Sequence, residues 1–248
     1  MTNSLIRKLE GFVRLSDEEV RALEAAAGQI VVRRAGEDLI REGERPDNVH
    51  LLLEGWAFRY KLLPDGGRQI MAYLIPGDLC DIHIFILKQM DHSIGLLSDA
   101  SVAMIPEKTM IELLDTYPRL ARALFWATLV DEATLREWLA NSNRREPFER
   151  VAHLFCELWL RMREVGLVEG DSFDLPLTQA ELGDTIGLNA VSVNRVLQRL
   201  RAEELITLKS ERLTILDVKR LMAVTEFDPN YLHLGMADDK MTDDKISA

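Results

Sequence analysis

The chain has 248 residues, of which 47% are hydrophobic and 29% charged, and its formal net charge is -11. That balance excludes wholesale disorder, and no run approaches the roughly 18 apolar residues of a membrane span. The acidic total argues against indiscriminate nucleic-acid binding, although affinity follows the field at the contact and a local basic face is compatible with it.

Two cysteines, Cys80 and Cys156, make neither a disulfide framework nor a metal cluster. A reducing cytoplasm is the expected location. The start, MTNSLIRKLEGF, lacks the apolar centre of a secretory signal.

Residues 1–27 carry helical periodicity, with Leu5, Leu9, Phe12 and Leu15 followed by Ser16-Asp17-Glu18-Glu19, a capping box for Val20, Leu23 and Ala27. From Gln29 to Pro106 the pattern becomes short apolar or alternating runs: Ile30–Val32, Val49–Leu53, Ala57–Leu62, Gln69–Ile75, His92–Leu97 and Ser101–Ile105. Glycine-bearing turns separate most of them, and Asp65-Gly66-Gly67 between two runs predicts a hairpin. Evenly spaced strands of this kind predict an antiparallel sandwich or barrel.

Helix returns over 107–141. Pro118 suits a first helical turn. The stretch RLARALFWATLVDEATLREWLA has more apolar surface than one side of a lone surface helix requires. Either it packs only on its own domain or it also meets its twin across a two-fold axis; its partly heptad spacing favours the second. Asn141 to Pro147 reads as a hinge. Phe148 to Val165 is amphipathic, and Gly166 can end it. After about 227 the chain reads as a flexible acidic tail.

The segment TQAELGDTIGLNAVSVNRVLQRLRAEE, residues 178–204, is the most informative. Thr178 can cap a helix with Glu181 at its third position. Gly187 permits a tight turn. A second helix follows with Val193, Val196, Leu197 and Leu200 on its apolar stripe, and no acid from Leu188 to Ala202. A helix-turn-helix needs these features, since its first helix braces a second that enters a major groove. A generic amphipathic pair would share the periodicity. The hairpin pattern after it, around Lys209-Ser210-Glu211-Arg212, adds a wing whose tip can approach phosphate.

From about residue 20 to 225 the chain resembles the Crp/Fnr family of bacterial transcription regulators. The resemblance rests on TQAELGDTIGLNAVSVNRVLQRLRAEELI and on GEDLIREGERPDNVHLLLEGWAFRYKLLPDGGRQIMAYLIPGDL, which is similar to the cyclic-nucleotide-binding barrel. It implies an α+β protein whose sensor domain is an antiparallel barrel or jelly roll. A sensor barrel would span 1–117, a long dimerisation helix and hinge 118–143, a winged helix-turn-helix domain 144–227 and the tail 228–248. It also implies a homodimer on double-stranded DNA that meets RNA polymerase and answers a small-molecule effector, with no membrane and no catalysis.

By that resemblance the base-reading positions are Ala190, Val191 and Arg195. Val191 replaces a glutamate that many members carry. Valine cannot accept from cytosine N4 but can touch a thymine methyl. The remaining DNA-contact candidates are Thr178, Gln179, Asn189, Ser192, Asn194, Arg199, Lys209, Ser210 and Arg212.

The family's phosphate cassette has no counterpart here. Gly77-Asp78 is followed by Leu79-Cys80-Asp81, and His92 stands at the arginine position. A buried cyclic phosphate needs a fixed charged donor, so cyclic AMP is not expected to bind in the usual way. Cys80, Asp81, His83 and His92 are the candidate sensing residues. Cys80 and His83 lie near the positions that hold haem in other members, but with different spacing, and no cofactor is assigned. The alternative to a regulator is a signal-sensing scaffold whose winged helix binds protein instead of DNA.

Overall fold

The computed structural model describes residues 4–82, 86–87 and 89–235. Two helices open it, α1 (Ser4–Glu10) and α2 (Asp17–Ala26). The predicted capping box is formed: the Glu19 amide donates to Ser16 Oγ at 3.3 Å and the Ser16 amide to Glu19 Oε2 at 2.7 Å. The residues between the helices, Leu15 included, are non-helical.

Seven strands follow: β1 (Ile30–Arg33), β2 (Asp38–Ile40), β3 (Asn48–Glu54), β4 (Ala57–Leu62), β5 (Arg68–Leu74), β6 (Ser93–Leu96) and β7 (Ala100–Pro106). They form two antiparallel sheets, ordered β1-β7-β3 and β2-β6-β4-β5. Leu51, Val102 and Ala103 from one sheet and Ala57, Ile94 and Leu96 from the other share a buried core. All six apolar runs of the sequence are strands. The three-residue β2 escapes a periodicity argument because it is too short to show alternation. The Asp65-Gly66-Gly67 hairpin joins β4 to β5, with Gly66 at φ 84°.

Next come α3 (Glu107–Thr116) and the 27-residue α4 (Pro118–Arg144), which has Pro118 in its first turn as predicted. The expected break at Asn141 is misplaced. The helix continues to Arg144 because the asparagines find partners without leaving it: Asn141 Nδ2 donates to the Arg150 carbonyl at 3.3 Å and Asn143 Nδ2 to that of Leu139 at 2.7 Å. Only Arg145 and Glu146 are extended, immediately before the Pro147 that excludes helical backbone from its predecessor.

Helix α5 (Pro147–Glu164) leads into the three-stranded sheet β8-β10-β9, built from β8 (Ser172–Asp174), β9 (Ile206–Lys209) and β10 (Arg212–Ile215). Between β8 and β9 lie α6 (Gln179–Ile186) and α7 (Ala190–Ala202); α8 (Val218–Val224) follows β10.

Residues 228–235, read from sequence as the start of a flexible tail, are docked instead. Pro229–Leu232 makes a 3-10 turn, Leu232 is buried, and Tyr231 Oη donates to Glu157 at 3.0 Å. Tyr231, Leu232 and Leu234 pack on the neighbouring apolar cluster and seat it. The rest of the acidic tail, 236–248, lies outside the described residues.

The two halves share one core. Trp56, Phe58, Tyr60, Ile70, Tyr73 and Ile75 on the outer side of the barrel pack in the same cluster as Phe155, Leu158, Leu182 and Leu197. Within it His153 on α5 lies beside Phe227 and Tyr231. Its Nε2 is 3.2 Å from Glu137 Oε1, but Arg145 shares that oxygen at 2.8 Å. Burial, aided by the Arg145 charge, pushes the imidazole pKa down to about 3.

Between pH 3 and the ordinary histidine value near 6.5 the unfolded chain therefore binds the extra proton. Stability is full above that ordinary value and falls with pH through the window. Taking the protein from pH 7 to pH 5 is expected to remove up to roughly 2 kcal/mol through this residue. Urea midpoints at the two pH values measure it, and His153→Phe should flatten the dependence.

Candidate nucleic-acid interface and sensor barrel

Helix α6 starts at Thr178, whose Oγ1 accepts from the Glu181 amide at 3.2 Å while the Thr178 amide donates to Glu181 Oε2 at 2.8 Å. It ends at Gly187, which is left-handed at φ 70°. Only a residue tolerant of positive φ closes this turn without strain. Gly183, inside α6, has a separate reason: a Cβ there would lie 2.3 Å from the Leu188 carbonyl oxygen. The turn thus folds back onto α6 through a bare backbone. Sequence reasoning singled out Gly187 and passed over Gly183, although an uncompensated glycine in a capped helix is itself a signal of close approach.

Asn189 caps α7, accepting from the Ser192 amide at 2.9 Å. Val193, Val196, Leu197 and Leu200 are buried, as the stripe predicts. The opposite side exposes Ala190, Val191, Asn194, Arg195 and Gln198. At 100° per residue these five fall on one face and run about 12 Å along the helix. Val191 is 71% exposed, which no packing requirement explains.

Of the predicted contact residues, Gln179, Ala190, Val191, Asn194 and Arg195 are exposed, Ser192 is half-buried, and Thr178 and Asn189 are exposed residues whose side chains serve as caps. Arg199 is drawn off this face: its Nε bonds Glu203 at 2.8 Å and its guanidinium lies over the Phe148 ring at 4.0 Å. Gln198, outside the predicted set, takes its place on the exposed face.

In the wing, Lys209 and Ser210 are exposed at the tip. Ser210 and Glu211 form the two-residue turn with φ 48° and 60°. Arg212 is not brought to the tip's outer surface as a free donor: it bonds Asp174 at 3.0 Å and Glu169 at 2.6 Å. Arg201 braces the wing by donating to the Leu208 carbonyl.

In the barrel, Asp81 is fully buried and accepts twice from His50, at 2.8 Å from its amide and at 2.7 Å from Nδ1. Cys80 is also fully buried, and burial together with the Asp81 charge pushes its thiol well up. His92 is buried with Nδ1 2.6 Å from Asp91 Oδ1, and desolvation pushes its pKa down, which keeps the ring neutral. His83 lies outside the described residues.

A fixed cation of this region is Arg59 on β4. It donates to the Leu79 and Cys80 carbonyls and to Asp131 on α4, at 3.1–3.3 Å. Asp78, at the glycine-acid pair, is buried in an ion-pair cluster with Lys8 and Arg161. His50 and Asp131 were missed because β-strand and helix periodicity say nothing about cross-element partners. Among the described residues, no group of three or more histidines, cysteines or carboxylates could hold a metal ion.

Residues 30–117 match the family described as Cyclic nucleotide-binding domain, and residues 149–224 that described as Crp-like helix-turn-helix domain. The chain belongs to the Crp/Fnr family of regulators. It is 28% identical over 220 residues to Transcriptional activator protein FnrL of Cereibacter sphaeroides, covering 84% of this chain and 85% of that one. It is 26% identical to Transcriptional activator protein Anr of Pseudomonas protegens over 210 residues, covering 85% and 86%.

The solved structure of FixK2 from Bradyrhizobium japonicum has the same fold, with a TM-score of 0.69 at 24% identity over 79% of this chain and 96% of that one. This Crp/Fnr chain is a DNA-binding transcription regulator and not an enzyme. No described helix is long and apolar enough to cross a membrane.

Gly183→Ala should lower stability by about 1–3 kcal/mol through overpacking against Leu188. Alanine's advantage of about 1 kcal/mol in a helix interior works against that loss. The clash is with backbone and outweighs that gain, so the thermal unfolding midpoint of Gly183→Ala should fall. Cys80 should resist iodoacetamide at pH 8 in the native protein and react on unfolding, followed by mass spectrometry.

Proposed function

We propose that the chain is a cytoplasmic homodimer that reads a two-fold symmetric DNA site with α7 and is switched by a small-molecule signal at the barrel. The observation that carries this reading is the exposed polar face of α7, which includes Arg195, a side chain to which no described barrel residue is bonded. Arg195 suits guanine O6 and N7, Asn194 and Gln198 suit adenine, and Val191 suits a thymine methyl. Gln179, Ser192, Lys209 and Ser210 would make phosphate contacts beside it, together with the helix starts capped by Thr178 and Asn189. Arg199 and Arg212 would join only by leaving their carboxylate partners.

Dimerisation is supported by α4. Phe125, Leu129, Leu135 and Leu139 are 64%, 44%, 53% and 66% exposed along one side of it. An uncovered stripe of that size on a long helix fits a twin helix across a two-fold axis. The half-sites would then lie about 34 Å apart, one turn of DNA. Bound at a promoter, such a dimer would be placed to meet RNA polymerase, in keeping with the names of FnrL and Anr as transcriptional activators. The barrel signal is expected to differ from cyclic AMP, because the arginine position holds the neutral His92 and Arg59 is already committed to Asp131.

Selection from random duplexes should enrich a palindrome. Arg195→Ala should cost about 1–3 kcal/mol at one base pair of each half-site and relax specificity there. Lys209→Ala should weaken all sequences alike and reduce the salt slope by about 1 per subunit. No enrichment with or without cell extract metabolites would favour the protein-binding scaffold instead.

A further inference from the structure

We infer that Arg161 and Asp78 are positioning residues for DNA reading: their buried pair, together with the seating of α6 on β5, sets the angle of α7 to the α4 axis and hence the half-site spacing the dimer accepts. This rests on the dimeric DNA-reading proposal above.

Arg7 of α1 donates to the Val165 carbonyl at the end of α5 at 3.1 Å, and two further anchors hold the DNA-reading half. One is on α4, where Trp138 Nε1 donates to Glu157 of α5 at 2.9 Å and Asn141 to the Arg150 carbonyl. The other is on the barrel. Arg161 of α5 reaches Asp78 at 2.9 Å and the Tyr73 carbonyl at 2.9 Å, while its other nitrogen stays 3.3 Å from Glu157. Asp78 also takes Lys8 of α1 at 2.7 Å. A single anchor leaves a domain free to pivot about it; two separate anchors fix its angle.

The barrel anchor extends to the helix-turn-helix itself. Arg68 of β5 pairs with Asp184 of α6 at 2.9 Å, Gln69 Nε2 donates to the Thr185 carbonyl at 3.2 Å, and Tyr73 Oη meets Thr185 Oγ1. Arg150 ties the end of α6 to α5 through the Ile186 carbonyl at 3.0 Å. So the helix that braces α7 is fastened to a barrel strand, and the extended link between α4 and α5 is only Arg145 and Glu146.

Asp78 is 4% and Arg161 13% exposed at their side chains. A buried pair of this kind contributes little net stability over an apolar substitute but strongly disfavours any arrangement that separates it. A pivot of the domain would strand Arg161 away from Asp78 and Tyr73. One base pair changes half-site separation by roughly 3.4 Å and rotates it by about 35°, so an angle held this firmly has a direct readout in DNA.

The test uses the full-length protein and the half-site found by selection, placed in duplexes with the spacing at its optimum and one or two base pairs shorter or longer. The wild type should lose about tenfold or more in affinity one base pair off the optimum. Arg161→Met should weaken binding at the optimum yet bring the ratio between optimum and neighbours towards one, with base preference within each half-site unchanged. Arg161→Lys should keep the ratio.

Asp184→Ala, at a half-exposed pair, should compress the ratio about threefold and serves where Arg161→Met does not fold. Equal loss at every spacing, or an unaltered profile in the variant that folds, overturns the inference. A wild type that selects no duplex overturns the DNA-reading proposal and this inference together, whereas a wild-type ratio between optimum and neighbouring spacings that the variants retain overturns the inference alone.

Discussion

Arg161 leaves α5 and ends among acceptors contributed by the barrel and by its own helix, with Asp78, the Tyr73 carbonyl and Glu157 all within reach. Glu157 in turn accepts from Trp138 of α4 and Tyr231 of the C-terminal turn, and Asp78 accepts from Lys8 of α1. One chain of buried polar groups therefore joins α1, the barrel, α4, α5 and the C-terminal turn. Charges removed from water must keep their partners, since breaking one contact strands the next. The apolar residues around the chain supply most of the stability of this junction, and the charges dictate which arrangement is the stable one.

The same economy of partners shapes the DNA-facing side. Arginines are numerous around α7, but Arg199, Arg201, Arg150 and Arg212 are spent on carboxylates, carbonyls and a ring. What is left pointing outward on α7 is a face of Ala190, Val191, Asn194, Gln198 and Arg195. This reconciles a net charge of -11 with DNA binding: the acids balance bracing arginines elsewhere, and the exposed turn of α7 holds none. In the barrel the logic is similar. Arg59 joins the segment around Cys80 to Asp131 on α4, so movement of that segment bears directly on the helix that carries the exposed apolar stripe.

Much of the site was legible because it depends on local chemistry. The capping boxes at Ser16 and Thr178, the left-handed Gly187, the buried stripe Val193-Val196-Leu197-Leu200 and the two-residue wing turn are all decided within a few residues of chain. Gln198 could have been read from the same helical wheel. Arg199 and Arg212 could not have been set aside, since Phe148 and Glu169 are distant in sequence. The seating of Tyr231 and Leu232 depends likewise on Glu157 and the apolar cluster around it, which no local pattern displays.

The sequence by itself determined the two-sheet barrel, the long helix, the winged helix-turn-helix and the face that α7 turns outward, because backbone periodicity, caps and turn glycines act over short range. Only the tertiary structure decided which cations are free, which carboxylates are buried, and that α6 is fastened to β5. Those outcomes depend on which side chains meet across elements when water is excluded, and hydrophobic alternation carries no record of such pairings.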